Sequence, residues 1–217
     1  MIKVKQFVFN PFGVNTYVVW DSTTREALVV DPGMTSAAET QEFDKYISDN
    51  ELTVKQIVNT HLHLDHCFGD NYVRDRYGVK VSANVADAPL GEGLGMQARN
   101  FGMILPAGAD KGVTIDVPLK EGDVITFGDE KMYVIEVAGH SPGGIALYCP
   151  TGSFAIVGDS IFRGSIGRTD LPGGDHATLI ANLRNKILTL PDGTRLLPGH
   201  NGSTTVADEK ATNPFVR

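Results

Sequence analysis

The chain has 217 residues, 41% of them apolar, with 26 acidic against 19 basic side chains and a net charge of −7. That is enough for one large domain or two small ones with a sizeable core, which excludes a disordered chain. There is no run of Lys or Arg to follow a phosphate backbone, and no stretch nears the ~18 apolar residues of a membrane span, so neither nucleic acid nor membrane is an expected partner.

Two cysteines, Cys67 and Cys149, are too few for a disulfide scaffold. The N-terminus, Met1 to Pro11, has no long apolar secretory region, so the expected location is cytoplasmic. The 24 glycines exceed the usual ~7% and suggest a β-rich or α/β fold with loop-built sites.

In chain order, Ile2 to Phe9 reads as a strand of mixed pattern, and Thr16 to Trp20 and Ala27 to Val30 as apolar, β-branched strands. Asp31-Pro32-Gly33 breaks the run. Ser36 with Glu39 three residues later makes a capping box, opening a helix with Phe43 and Ile47 at i, i+4. Val54 to Asn59 is the next strand, followed by a His-rich turn, a helix from about Asp70 to Tyr77 and a strand from Val79 to Ser82, a β-α-β-α-β alternation. Asn84 to Val117 reads as a glycine-rich loop with a short helix near Met96 to Met103. Strand patterns return at Val124 to Phe127, Met132 to Ala138, Gly144 to Tyr148 and Ser153 to Val157. Asp175 caps a helix with Leu179, Ile180, Leu183 and Ile187 on one face, and Arg195 to Leu197 is a last short strand. No repeat, low-complexity tract or linker divides the chain, so 1–217 reads as a single domain.

Three of the six histidines lie in Thr60-His61-Leu62-His63-Leu64-Asp65-His66, a clustering that sets aside coincidental surface residues. In an extended turn His61 and His63 can point the same way, while Asp65 and His66, turning into a helix, can face a second point. Neutral imidazoles and a carboxylate are the usual ligands of zinc and other borderline divalent metals, so these four donors can grip two adjacent ions. Further ligands are expected in three glycine-marked turns that follow apolar strands: His140 in Gly139 to Gly143, Asp159 after Gly158, and His200 after Pro198-Gly199. Singly each would read as a capped turn; together, beside HxHxDH, they read as ligands. His176 reads as an exposed first-turn residue, and Cys67 as a small buried apolar residue rather than a redox-sensitive neighbour of the metals.

HxHxDH followed by a His, an Asp and a His at strand ends resembles the metallo-β-lactamase-fold hydrolases, with Thr60 to His66, Gly139 to Gly143, Gly158-Asp159 and Pro198 to His200 in matching order. Phe162 to Asp175, Asn213-Pro214-Phe215 and Gln97 to Gly102 are similar to the short bacterial glyoxalase II-like (hydroxyacylglutathione hydrolase-like) branch. The resemblance covers nearly the whole chain. It implies an α/β fold, a four-layer αββα sandwich with metals at one edge. It implies that His61, His63 and His140 hold one divalent ion, that Asp65, His66 and His200 hold a second, and that Asp159 bridges them. The ions would be zinc, with iron or manganese as alternatives. Met96 to Leu105 could wall the metals on one side or simply cover the sheet.

The implied activity is hydrolysis of a small acyl thioester by a metal-bridging hydroxide that the catalytic Asp65 orients, with no Ser, Cys or Lys nucleophile. Arg168 would bind the carboxylate of glutathione, although the tyrosine expected beside it is replaced by Thr169-Asp170, and Arg168 with Asp170 reads equally as a loop ion pair. Most of the basic C-terminal region that holds glutathione in the longer enzymes has no counterpart before Arg217, so modest turnover is expected, with S-lactoylglutathione the first compound to try. Persulfide dioxygenases resemble the chain at Gly167-Arg168-Thr169-Asp170 and would use a single iron on His61, His140 and Asp159; Leu171-Pro172 looks more like the hydrolase branch. A catalytically inactive metal-binding module is disfavoured by the complete ligand set, and an RNA-processing nuclease by the acidic charge. A flavodiiron-type domain would carry Glu at His63.

Overall fold

In the computed structural model, which describes residues 1–103 and 111–217, two six-stranded sheets lie face to face. The first contains β1 (Ile2–Phe9), β2 (Val14–Asp21), β3 (Glu26–Val30), β4 (Thr53–Val58), β5 (Lys80–Ala83) and β6 (Val117–Pro118), in that spatial order. It is antiparallel from β1 to β3 and parallel from β3 to β6. The second contains β7 (Val124–Phe127), β8 (Glu130–Glu136), β9 (Ile145–Cys149), β10 (Phe154–Gly158), β13 (Arg195–Pro198) and β14 (Thr204–Thr205), in the order β14-β13-β10-β9-β8-β7. Only its β10–β13 pair is parallel. A small hairpin, β11 (Ile161–Phe162) and β12 (Ser165–Ile166), stands apart from both.

The central strands β2, β3, β9 and β10 read as near-continuous apolar runs because they are covered on both faces, whereas β1, β7 and β8 alternate between buried and exposed residues. Tyr17, Val19, Leu28, Val30 and Val58 of the first sheet meet Ile125, Phe127, Met132, Val134, Leu147 and Ile156 of the second in the central core. The alternate residues point outward. Val18, Trp20, Ala27, Val29 and Ile57 pack with Phe43 and Ile47 of α1 (Ala37–Asp49) and Val73 of α3 (Asp70–Tyr77). Ala146, Ala155, Val157 and Leu196 pack with Leu179 and Leu183 of α6 (His176–Asn185) and Val206 of α7 (Val206–Thr212). The period-2 alternation of strand side chains thus generates the four αββα layers expected from the sequence.

The cap signals translate directly. Ser36 and Glu39 form a complete capping box on α1, and the Asp175 side chain accepts from the Thr178 amide at the start of α6. Leu179 and Leu183 are buried as expected, Ile180 is half-buried against the same cluster, and Ile187 is buried from a 3₁₀ turn that follows the helix. The expected loop from Asn84 is more helical than its glycines suggest. A 3₁₀ turn at Val85–Asp87 leads into α4 (Ala88–Glu92) and α5 (Leu94–Asn100). The expected Met96 to Met103 helix therefore starts two residues earlier and ends before Gly102, whose φ of 65° is left-handed. Ile104 and Leu105 of the expected apolar wall lie outside the described residues. Among the described residues, no helix is long and apolar enough to cross a membrane.

Candidate metal centre

Five loops leave the ends of β3, β4, β8, β10 and β13 at one edge of the sandwich, and each carries a site side chain. Hydrogen bonds between the sheets fix this edge. The Ile145 amide donates to the Thr60 carbonyl at 2.8 Å, the Asn15 amide to the Gly199 carbonyl at 2.6 Å, and the Tyr17 hydroxyl to the Pro198 carbonyl at 2.7 Å. After β4 the chain stays extended to His63 (φ −68°, ψ 148°), then makes the single turn α2 (Leu64–Cys67). Hence His61 and His63 project from extended backbone, and Asp65 and His66 from helix, as the motif spacing predicts.

All seven expected donors converge. His61, His63 and His140 form one group whose ligand atoms lie within 4.8 Å of one another, and Asp65, His66 and His200 form another. Asp159 stands between the two. Its carboxylate is 3.5 Å from His66 Nε2, 3.5 Å from His200 Nε2 and 3.7 Å from His140 Nε2. His63 Nδ1 and His140 Nε2 face each other at 2.9 Å, and His200 Nε2 lies 3.2 Å from Asp65 Oδ2.

The outward nitrogens of His61, His66, His140 and His200 are tied down, which aims the inward ones. His140 Nδ1 donates to the Arg168 carbonyl at 2.7 Å, His200 Nδ1 to the Phe12 carbonyl at 3.1 Å, and His66 Nδ1 to Asp31 Oδ2 at 3.0 Å. Thr60 Oγ1 donates to Asp31 at 2.6 Å, so its lone pair is left to accept from His61 Nδ1 at 3.1 Å. These are the supports that metal-bound imidazoles typically have. By contrast His61 Nε2, His66 Nε2 and Asp159 Oδ1 are buried with no hydrogen-bond partner. Buried polar atoms are rarely left so. Imidazole nitrogens and carboxylate oxygens without partners, converging on common points, fit divalent cations.

Electrostatics favour the ligand forms on one side of the centre. Burial, then the neighbouring imidazoles, push His61 well below its ordinary pKa, and burial with His140 lowers His63 to about 4, so both are neutral at pH 7. Burial would raise Asp65 and Asp159, but the facing imidazoles, His66 foremost, hold both carboxyls below their ordinary value. The same carboxylates outweigh burial at His66 and His200 and raise both, so metal binding there releases protons.

Four contributors escaped the sequence reading. Asp31 supports His66 directly and His61 through Thr60. Asp87 accepts from the Leu62 amide, the Ser141 hydroxyl and the Gly143 amide, pinning two donor loops together. Gln97 accepts from the Leu64 amide and donates to the Leu62 and Leu90 carbonyls, fixing the donor turn to α4 and α5. Gly199 is obligatory, since a Cβ there would lie 2.2 Å from Asp159 Oδ1 and 2.6 Å from His66 Cε1. Asp31-Pro32-Gly33 carried a usable signal, an acid and a glycine at a strand end like Gly158-Asp159. Asp87 carried none, and Gln97 only its place in the Gln97 to Gly102 stretch that carries the resemblance.

Arg168 lies at the rim of the cleft over the donors, but its guanidinium forks onto Asp170, with Nε and Nη2 each 2.7 Å from a carboxylate oxygen. The loop ion pair is the arrangement present, at the cleft rim where the substrate carboxylate was expected. His176 is exposed, and buried Cys67 is absent from the donor groups.

The sequence profile of the Metallo-beta-lactamase superfamily matches residues 9–200. The hydroxyacylglutathione hydrolase GloC of Haemophilus influenzae is 34% identical over 212 residues, spanning 94% of this chain and 93% of its own. Two crystal structures share the whole fold. BLEG-1, a B3 metallo-beta-lactamase, has a TM-score of 0.87 at 32% identity over 99% of both chains. TTHA1623, in a di-iron-bound form, has a TM-score of 0.84 at 34% identity over 97% of this chain and 99% of its own.

Proposed function

The chain belongs to the metallo-beta-lactamase superfamily, as a metal-dependent hydrolase, and from that premise we propose that it is a glyoxalase II-like thioesterase acting on acyl thioesters with two divalent ions. One observation carries the binuclear reading: seven donors converge with Asp159 between two groups of three, and His61 Nε2, His66 Nε2 and Asp159 Oδ1 are buried there without partners while the outward nitrogens of four histidines are held. That is too many donors for one tetrahedral ion. His61, His63 and His140 would hold the first ion, Asp65, His66 and His200 the second, and Asp159 both. Zinc is proposed first, with iron or manganese as alternatives, since the set contains nitrogen and oxygen but no thiolate.

Such ions, when bound, lower the pKa of a coordinated water towards ~7 and polarise a carbonyl. The chain supplies the rest. Asp65 is positioned by its main-chain carbonyl, which accepts from Asn10 Nδ2 at 3.0 Å, so its carboxylate can orient the attacking water. No Ser, Thr, Cys or Lys is among the described residues lining the cleft, which suits attack by water rather than an acyl-enzyme. A thiolate leaves without a strong acid, its conjugate thiol having a pKa near ~8.5. We propose a small-molecule substrate, no nucleic-acid or membrane partner, and a cytoplasmic site of action.

The test is metal analysis of protein purified without added metal, followed by parallel assays of thioester hydrolysis and persulfide-dependent oxygen uptake. Two ions per chain and cleavage of S-lactoylglutathione or a simpler thioester support the proposal. One iron per chain with oxygen uptake and no thioester cleavage would replace it with the dioxygenase. Neither activity in fully metal-loaded protein would leave the inactive module.

A further inference from the structure

We infer that an apolar cavity opening beside the metal centre receives the acyl arm of the substrate, so that the chain selects thioesters of apolar, medium-length carboxylic acids. The inference rests on the thioesterase reading and names its substrate class. The cavity holds about 390 Å³, the size range of small-molecule pockets, and its walls include Leu90, Met96, Phe101, Leu171 and Pro172. It adjoins the cleft over the donors, for His63, Gln97, Phe101 and Leu171 line both. Whatever is cleaved at the centre therefore has this cavity within reach of one arm.

The cavity's chemistry selects which arm. No Lys, Arg, Asp or Glu is among its described lining residues. Gln97 turns both its amide oxygen and its amide nitrogen to main-chain partners, and so offers the cavity mainly its aliphatic stem. Met96 and Phe101 are 61% and 46% exposed, large apolar side chains left facing solvent on the wall of one hollow rather than scattered singly. Among the described residues lining the adjoining cleft, Arg168 has its guanidinium paired with Asp170. The thiol halves of biological thioesters are polar and charged, whereas the acyl half ranges from polar to wholly apolar. An apolar hollow next to the scissile position therefore suits the acyl half. The reaction balances without another reactant: water forms the new C–O bond, the C–S bond breaks, and a water proton goes to the departing thiolate.

The test uses two matched series built on N-acetylcysteamine, uncleavable S-alkyl thioethers from methyl to octyl and cleavable thioesters from acetyl to octanoyl. Thioether Kd, measured by calorimetry on the metal-loaded protein, is expected to tighten about fourfold per methylene until the cavity is filled, the factor equivalent to ~0.8 kcal/mol per buried CH₂. The kcat/KM of the thioesters should climb in parallel. Met96→Glu, at a position exposed enough to spare the fold, should lower the octyl-to-methyl affinity ratio at least tenfold. A flat thioether series, or an unchanged ratio in M96E, overturns the inference even if thioesters are hydrolysed. A steep thioether series without cleavage of any thioester supports the cavity as an apolar-arm site and removes the thioesterase reading instead.

Discussion

Asp31 is the side chain on which both donor groups lean. One carboxylate oxygen takes the His66 Nδ1 proton at 3.0 Å and the Thr60 hydroxyl at 2.6 Å, and that hydroxyl in turn receives His61 Nδ1. Asp31→Asn should weaken metal binding about 10–100-fold, the usual effect of losing such a support. Asparagine suits the left-handed backbone at position 31 (φ 50°), so the fold should persist. Titration against a competing chromophoric chelator reads this directly, and unchanged affinity would show that Asp31 does not act through the imidazoles. Asp65→Ala should instead collapse kcat by on the order of 10² or more, because the group that directs the water is lost; hydrolysis surviving in D65A would sink the binuclear mechanism. The two residues also mark what the sequence could reveal. Asp65 stands in a six-residue motif whose spacing alone suggests its use. Asp31 and Asp87 serve residues 25 to 56 positions away, and no local pattern announces such a partnership.

At the level of elements, legibility followed length and caps. The helices α1 and α6 have 13 and 10 residues, a side-chain cap and apolar residues at helical spacing, and both were readable. The helices α4 and α7 have 5 and 7 residues, too few turns for a periodic signal, and form because tertiary packing selects them, while the 7-residue α5 was legible only with shifted bounds. Helix α1 also ties the site edge to the outer layer. Glu39 accepts from the amides of Asn10 at 2.6 Å, Thr35 at 2.7 Å and Ser36 at 2.9 Å, and Asn10 in turn holds the Asp65 carbonyl. Ser36→Ala should lower stability by about 1 kcal/mol in urea melts. Burial alone would raise the Glu39 carboxyl, but these amide donors outweigh it and depress its pKa below 4.5. A depressed folded pKa stabilises above the unfolded value and loses that stabilisation as pH falls through the folded value. The stability advantage of the wild type over Glu39→Gln should therefore be full at neutral pH and shrink only below the ordinary carboxylate range near ~4.3. An advantage that is the same at pH 7 and pH 3 would mean that the charge on Glu39 contributes nothing.

Across the whole molecule, the β-α-β-α-β alternation of the first half was legible from apolar runs and caps, whereas the αββα layering was legible through the resemblance. The pairing of β10 with β13 joins positions far apart, and no local periodicity announces it; the meeting of the sheets at one edge came into view through the resemblance. That meeting gives the metals a structural role. His61, His63, Asp65 and His66 follow β4 of the first sheet, whereas His140, Asp159 and His200 follow β8, β10 and β13 of the second. Each proposed ion therefore takes donors from both sheets and cross-links the two halves of the sandwich. Ions that bind the folded chain and not the unfolded one stabilise it by RT ln(1 + [L]/Kd), about 2.7 kcal/mol at a hundredfold excess over Kd. At ~2–4 °C per kcal/mol for a chain of this length, chelation should lower Tm by about 5–11 °C for each ion removed. Asp159→Asn weakens the group between the ions, so the chelator should shift the Tm of D159N by much less. Equal Tm values for wild type with and without chelator, in protein shown by metal analysis to have lost its ions, would mean that the edge is held by its main-chain hydrogen bonds alone and that the donors are not joined across the sheets by metal.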